Sequence, residues 1–169
     1  SILFGLMTAV LGTPCFGPFA GAVLGWATQQ PNNLIPLATF VSIGVGMALA
    51  AKLDKASWKV VCMTGDGEIQ EGQVWEAAMS APKFALDNLT WVVDFNQVQQ
   101  EGKTKDQMDL ESLKAKIEAF NWHVQEIDGH DHALIDNALA KTQSGRGKPN
   151  AIILRSIKGK GVSWMELQT

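Results

Sequence analysis

The sequence predicts an α/β fold: a parallel sheet with helices on both faces. Three observations carry this expectation. The short apolar runs Trp58–Met63, Leu89–Asp94, Trp122–Ile127 and Ala151–Ile157 read as strands. Segments of helical periodicity separate them, so strand and helix alternate as in βαβ units. The runs are also nearly all apolar rather than alternating, the pattern of strands covered on both sides. Right-handed crossovers between parallel strands then put helices on both faces.

The totals bound the answer. A chain of 169 residues suits one domain, long enough to bury roughly 70% of its unfolded surface. The net charge is −3 and the pI near 5.6, which excludes the basic stripe that nucleic acid requires. The cysteines, Cys15 and Cys62, are too few for a disulfide framework or a thiolate metal site. That usage fits a reducing, cytoplasmic compartment. Cys62 lies within an apolar strand and reads as a core residue rather than a nucleophile.

Taken in order, the chain begins with an uncharged, helix-rich segment, residues 1–51, read as part of the same domain as the α/β region 52–169. An uncharged apolar run raises the question of a membrane span. Pro14 and Pro18 break the first run, and Gln29, Gln30, Pro31, Asn32 and Asn33 break the second. Neither is flanked by Lys or Arg, so positive-inside anchors and a signal-peptide n-region are lacking. Burial is the preferred reading. Residues 41–53 (VSIGVGMALAAKL) form a helix, with Gly44 and Gly46 where another backbone or a ligand comes close. The turn Thr64–Glu68 leads to a helix over Glu71–Ala81, with Val74, Trp75, Ala78 and Met79 on one face and Pro82 at its end. Asp109 caps a helix to Phe120 with Leu110, Leu113 and Ile117 inward. Asp131–Ser144 is the last helix.

Ligands of open α/β sheets sit beyond the carboxyl ends of the strands. Asp66 and Asn96 stand at two such ends. Gly65 and Gly67 flank Asp66, so backbone can approach an anion closely. The helix starting near Glu71 turns its positive dipole end to the same place. Asp66 supplies a charged hard oxygen, Asn96 a neutral one, and the turn after Asn96 a main-chain carbonyl. With phosphate oxygens and water, these satisfy the octahedral demand of magnesium.

The motifs SIGVGMALAAKL, GDGEIQEGQVWEAAM, LDNLTWVVDFNQVQQEG, EIDGHDHALI and IKGKGVSWME occur in that order. Together they make residues 52–166 resemble the N-terminal, diphosphate-binding half of the transketolases, and QEGQVWEAAM resembles the bacterial split type. The resemblance implies a thiamine diphosphate-binding fold, with thiamine diphosphate and Mg2+ (or Ca2+ or Mn2+) as cofactors. It implies Asp66, Asn96 and the Val98 carbonyl as metal ligands. Gly65, Asp66, Gly67, Glu68, Asn96 and Lys158 would contact the cofactor, the Gly67 N–H most directly. Glu71 matches a glutamate at the subunit interface that links paired active sites, and it is the residue given a catalytic part. A plain helix-start acid remains the alternative for Glu71, and a solvated turn lysine for Lys158. The implied activity is transfer of a two-carbon ketol unit from a ketose phosphate to an aldose phosphate. It needs a separate C-terminal, pyrimidine-binding chain, in a dimer of heterodimers, and the chain alone is expected to be inactive.

The sequence also departs from the family. LIPLATFV stands where a GxLGxG stretch is usual, and no histidine precedes His123. His123, His130 and His132 align outside the site. Two further readings stay open: another thiamine diphosphate enzyme subunit, of deoxyxylulose-phosphate synthase or 2-oxoacid dehydrogenase α type, and a noncatalytic scaffold of the same fold.

Overall fold

Strand and helix alternate from Val41 to Arg155 in the computed structural model, which describes residues 41–99, 101–144 and 147–166. The order is α1 (Val41–Leu53), β1 (Val60–Gly65), a 3-10 turn (Glu68–Gln70), α2 (Gly72–Lys83) and β2 (Leu89–Phe95). A hairpin of two-residue strands, β3 (Val98–Gln99) and β4 (Gly102–Lys103), follows with α3 (Thr104–Gln107). Then come α4 (Leu113–Ala119), β5 (His123–Asp128), α5 (His132–Thr142) and β6 (Asn150–Arg155). Residues 1–40 lie outside the described part, and with them most of the membrane question and the LIPLATFV departure. Among the described residues no helix is long and apolar enough to cross a membrane.

The main sheet runs β1-β2-β6-β5, every neighbouring pair parallel. Right-handed crossovers from β1 to β2 and from β2 out to β5 put α2 and α4 on one face; the return from β5 to β6 puts α5 on the other. The expected α/β architecture is therefore present. The centre of the sheet is closed to water: Leu89, Trp91, Val93, Ala151 and Ile153 are buried. Trp91 meets Trp122 edge-on, ring centroids 5.7 Å apart. Both indole N–H groups are satisfied, Trp91 by the Thr64 hydroxyl at 2.9 Å and Trp122 by the Ala78 carbonyl at 2.8 Å, as buried indoles require.

Several boundaries move, each for a local reason. β1 starts at Val60, whose N–H reaches the Asn88 carbonyl, while Trp58 stays 38% exposed. β5 starts after Trp122, which turns into the core. β6 stops at Arg155, and the Ile157 N–H is taken by the His130 ring nitrogen Nε2 at 2.8 Å. The cap of α4 is Ser112, not Asp109; the Ser112 side chain accepts from the Ala115 N–H at 3.3 Å, and Asp109 closes the preceding turn onto the Glu111 N–H. The buried face of α2 is Val74, Ala77, Ala78 and Ala81. Met79 is 54% exposed, and Trp75 packs on Phe120 instead. Pro82 lies in the last turn of α2, which ends one residue later.

Helix α1 packs on β1, β2 and α2, and Val41–Leu53 belongs to the same compact unit as the sheet. Gly44 makes that packing possible. A Cβ there would stand 1.8 Å from the Cys62 sulfur, and Cys62 itself is fully buried. Gly46 faces open space. Gly44→Ala is therefore expected to lower stability by about 1–3 kcal/mol through overpacking. Cys62→Ala in the same chain should recover most of that loss, measured as urea midpoints; equal losses in both backgrounds would show that the sulfur is not the obstacle.

Candidate functional site

The carboxyl ends of β1 and β2 are adjacent because the two strands pair in register, Gly65 opposite Asp94. Each chain then leaves the sheet by a different device. After β1 it enters the Asp66–Gly67 turn and the 3-10 turn, with Glu71 as the extended residue capping α2. After β2 it turns sharply at Gln97, which holds φ +63°, a left-handed conformation costly for a residue with a Cβ.

One side chain joins the two exits. Asp66 is 1% exposed. Its Oδ2 accepts the Gln97 N–H at 2.6 Å and its Oδ1 the Gly67 N–H at 2.8 Å. The strained turn after β2 is thus held by a carboxylate from the turn that follows β1. Burial raises the Asp66 pKa above the usual carboxylate value; the hydrogen bond from the Gln97 N–H works against this, and the charge of Asp94 adds to it. The Gly67 N–H, expected to face a diphosphate, is engaged by Asp66 in this structure. Gly67 must be glycine for another reason: a Cβ would lie 2.9 Å from the Gln99 Cβ, whereas Gly65 faces open space.

Between the exits lies a cleft of about 580 Å³ lined by Gly65, Asp66, Gly67, Glu68, Glu71, Asn96 and Val98, together with Gln99 and Glu101. The structure therefore brings together all the sequence-derived site residues except Lys158. That lysine is exposed in the turn after β6 and does not line the cleft. Nor do the histidines. Gln99 and Glu101 were missed because the β3–β4 hairpin that presents them has two-residue strands, too short for any periodicity.

The electrostatics of the cleft are one-sided. Glu68, Glu71 and Glu101 line it with Asp66, and among the described residues no lysine or arginine does. Two buried acceptors, Glu68 Oε1 and Gln99 Oε1, have no hydrogen-bond partner among the described residues. Burial, with the charge of Glu71 adding to it, pushes Glu68 up to about 7. Among the described residues no three His, Cys, Asp or Glu side chains converge on one point. A cation here would be held by mixed donors: one carboxylate, one amide oxygen, one main-chain carbonyl and oxygens from a ligand. Magnesium accepts such a set, and each Asp66 oxygen, though already accepting one N–H, keeps a further lone pair. The donors present fit a hard divalent cation.

Cys62, behind the cleft in β1, is pushed up to about 12 by burial and by the nearby Glu68 charge. It stays a thiol and offers no nucleophile.

The Glu68 shift has a sign that can be checked. Its folded pKa lies above the unfolded value of 4.5, so the folded state holds the extra proton and stability falls as pH rises through that window. In the absence of divalent cations, the gap between Glu68→Gln and wild type should open in favour of Glu68→Gln from pH 4.5 to 7 and level off above 7. Denaturant midpoints across that range measure it; a gap independent of pH would place the Glu68 carboxyl in water.

Comparison with known proteins identifies the family. The family described as transketolase, thiamine diphosphate binding domain, matches residues 35–167. The match thus extends upstream of Lys52 and takes in all of α1. One of the subunits of an apulose-4-phosphate transketolase from Phocaeicola vulgatus is 43% identical over 158 residues, 91% of this chain and 56% of that protein. A 6-deoxy-6-sulfo-D-fructose transketolase subunit, SqwG, from a Clostridium species is 46% identical over 125 residues, 74% of this chain and 46% of that one. The solved transketolase of Campylobacter jejuni aligns with a TM-score of 0.72 at 33% identity, over 78% of this chain and 22% of that one. The chain spans about half the length of these two subunit relatives. On the family match and on these identities, the chain belongs to the transketolase family, and residues 35–167 are its thiamine diphosphate-binding domain.

Proposed function

We propose that this chain is the diphosphate-binding subunit of a split, cytoplasmic transketolase, and that it holds thiamine diphosphate through a divalent cation. The observation that carries the proposal is the charge of the cleft. A diphosphate is an anion, and a cleft lined by carboxylates, with no basic side chain among the described residues, repels it unless a cation comes too. Asp66, Asn96 and the Val98 carbonyl are the donors proposed to hold Mg2+, with Ca2+ or Mn2+ satisfying the same oxygen chemistry. Gly65, Gly67 and Glu68 line the turn beneath the diphosphate. Lys158, exposed in the turn after β6, is proposed to approach the cofactor from outside the lining of the cleft.

When bound, thiamine diphosphate supplies an electron sink for two-carbon ketol transfer between sugar phosphates. The contribution of this chain is to bind and orient. Asp66 fixes the relative position of two strand exits, so the donors carried by the β2 exit are set before any ligand arrives. Such preorganisation avoids an ordering cost on binding. Glu71, exposed at the start of α2 and lining the cleft, suits a role toward a neighbouring chain. The relatives' designation as subunits supports a partner chain that carries the pyrimidine-binding half, in a dimer of heterodimers, with this chain inactive alone.

Calorimetric titration with thiamine diphosphate, with Mg2+ and then with EDTA, tests the reading. Binding should require the cation, and Asp66→Asn should weaken it by at least ~100-fold, about 2.7 kcal/mol. Adding a pyrimidine-binding chain should restore ketol transfer. Cation-independent binding would overturn the metal assignment, and no binding even with the partner would leave a noncatalytic scaffold.

A further inference from the structure

Asn96 is the cleft residue whose usefulness depends on which way round its side chain sits. A primary amide offers an acceptor oxygen on one side and two donors on the other; only the oxygen can face a cation. In this structure the Asn96 Nδ2–H group donates to Asp94 Oδ2 at 2.8 Å, and Asn96 Oδ1 accepts the Val98 N–H at 2.9 Å. The second oxygen of Asp94, Oδ1, accepts the Ser156 hydroxyl. Ser156 follows β6, the neighbour of β2, and its own N–H reaches back to the Phe95 carbonyl at 3.4 Å.

We infer that Asp94, braced by Ser156, is a positioning residue that selects the orientation of the Asn96 amide. The reason is an asymmetry of donors. An ionised carboxylate accepts and never donates. Turning the amide over would set its oxygen against Asp94 and its N–H groups against the Val98 N–H, so both hydrogen bonds would be replaced by repulsive contacts. Neither Asp94 nor Ser156 lines the cleft; both act through Asn96. Asp94 is held in its turn by a side chain 62 residues away, so the orientation is set by strand order and not by the local turn alone. Its consequence for cofactor binding rests on the cation–diphosphate reading above. The orientation itself does not.

Two measurements on the full chain separate these levels. The first needs no ligand. The side-chain 1H–15N pair of Asn96, identified by its disappearance in Asn96→Ala, should show the shifts of a hydrogen-bonded amide and lose them in Asp94→Ala. An unmoved pair overturns the inference. The second is the Mn2+ concentration that half-saturates thiamine diphosphate binding. Asp94→Ala should raise it roughly 10–100-fold, the usual effect of losing a group that orients a metal ligand. Ser156→Ala should raise it several-fold, and Asp94→Asn, which keeps one acceptor oxygen, should recover most of the loss. In an Asn96→Ala background, Asp94→Ala should add nothing; a full additional loss there means that Asp94 does not act through Asn96. Thermal melts identify any variant that fails to fold, and Asp94→Asn then carries the comparison. If wild type shows no Mn2+-dependent binding, the functional proposal fails while the amide spectrum still decides the orientation.

Discussion

A single buried carboxylate ties together the part of the molecule that matters. Asp66 follows directly on one strand and accepts the N–H of Gln97, which belongs to the exit from the next. That acceptor helps to offset the strain of the left-handed turn at Gln97, and together with the strand pairing and the Asp94 contact it fixes where Asn96 stands relative to Asp66. Burying a charge is costly unless it is paired or hydrogen-bonded. Here two backbone N–H groups compensate in part. The raised pKa of Asp66 records that the compensation is incomplete.

The same shortfall recurs around the cleft. Glu68 is pushed up to about 7, and the Glu68 and Gln99 side chains each bury an acceptor without a donor. A site short of positive charge is poor for free anions and good for a hard cation that brings an anion with it. The fold tolerates this imbalance because the sheet beneath does not depend on it. Trp91, Trp122 and Thr64 find partners for their polar atoms within the core, and Gly44 lets α1 close onto Cys62. At the same sheet edge Arg155 stacks on Phe95, 4.3 Å from the ring centroid, and pairs with Glu111 and Glu126. That clamp gathers the ends of β2, β5 and β6 and holds Glu111 below the usual carboxylate value.

Much of this was legible from residue patterns alone. Apolar runs of strand length, separated by helical segments, specify strands covered on both faces, so the parallel sheet followed, and with it the positions of Asp66 and Asn96 at strand ends. The motif order identified the family, and the family match across residues 35–167 agrees. Local chemistry was less readable where several residues compete for one role: Ser112 rather than Asp109 caps α4, because the chain at Leu110 dives into the core before the helix begins.

What the residues could not disclose is anything that depends on contacts between distant segments. Asp94 reads as the polar end of an apolar strand; its grip on the Asn96 amide appears only once β6 lies beside β2 and brings Ser156 to it. A side chain at position 67 would be crowded by Gln99 from the hairpin, a contact between distant segments that no local pattern reveals. Lys158 matches a family motif, and its turn leaves it exposed and outside the lining of the cleft. Hydrophobic periodicity is a local property, so it specifies strands and their ends. Side-chain orientation is settled by partners that meet only when the sheet is assembled.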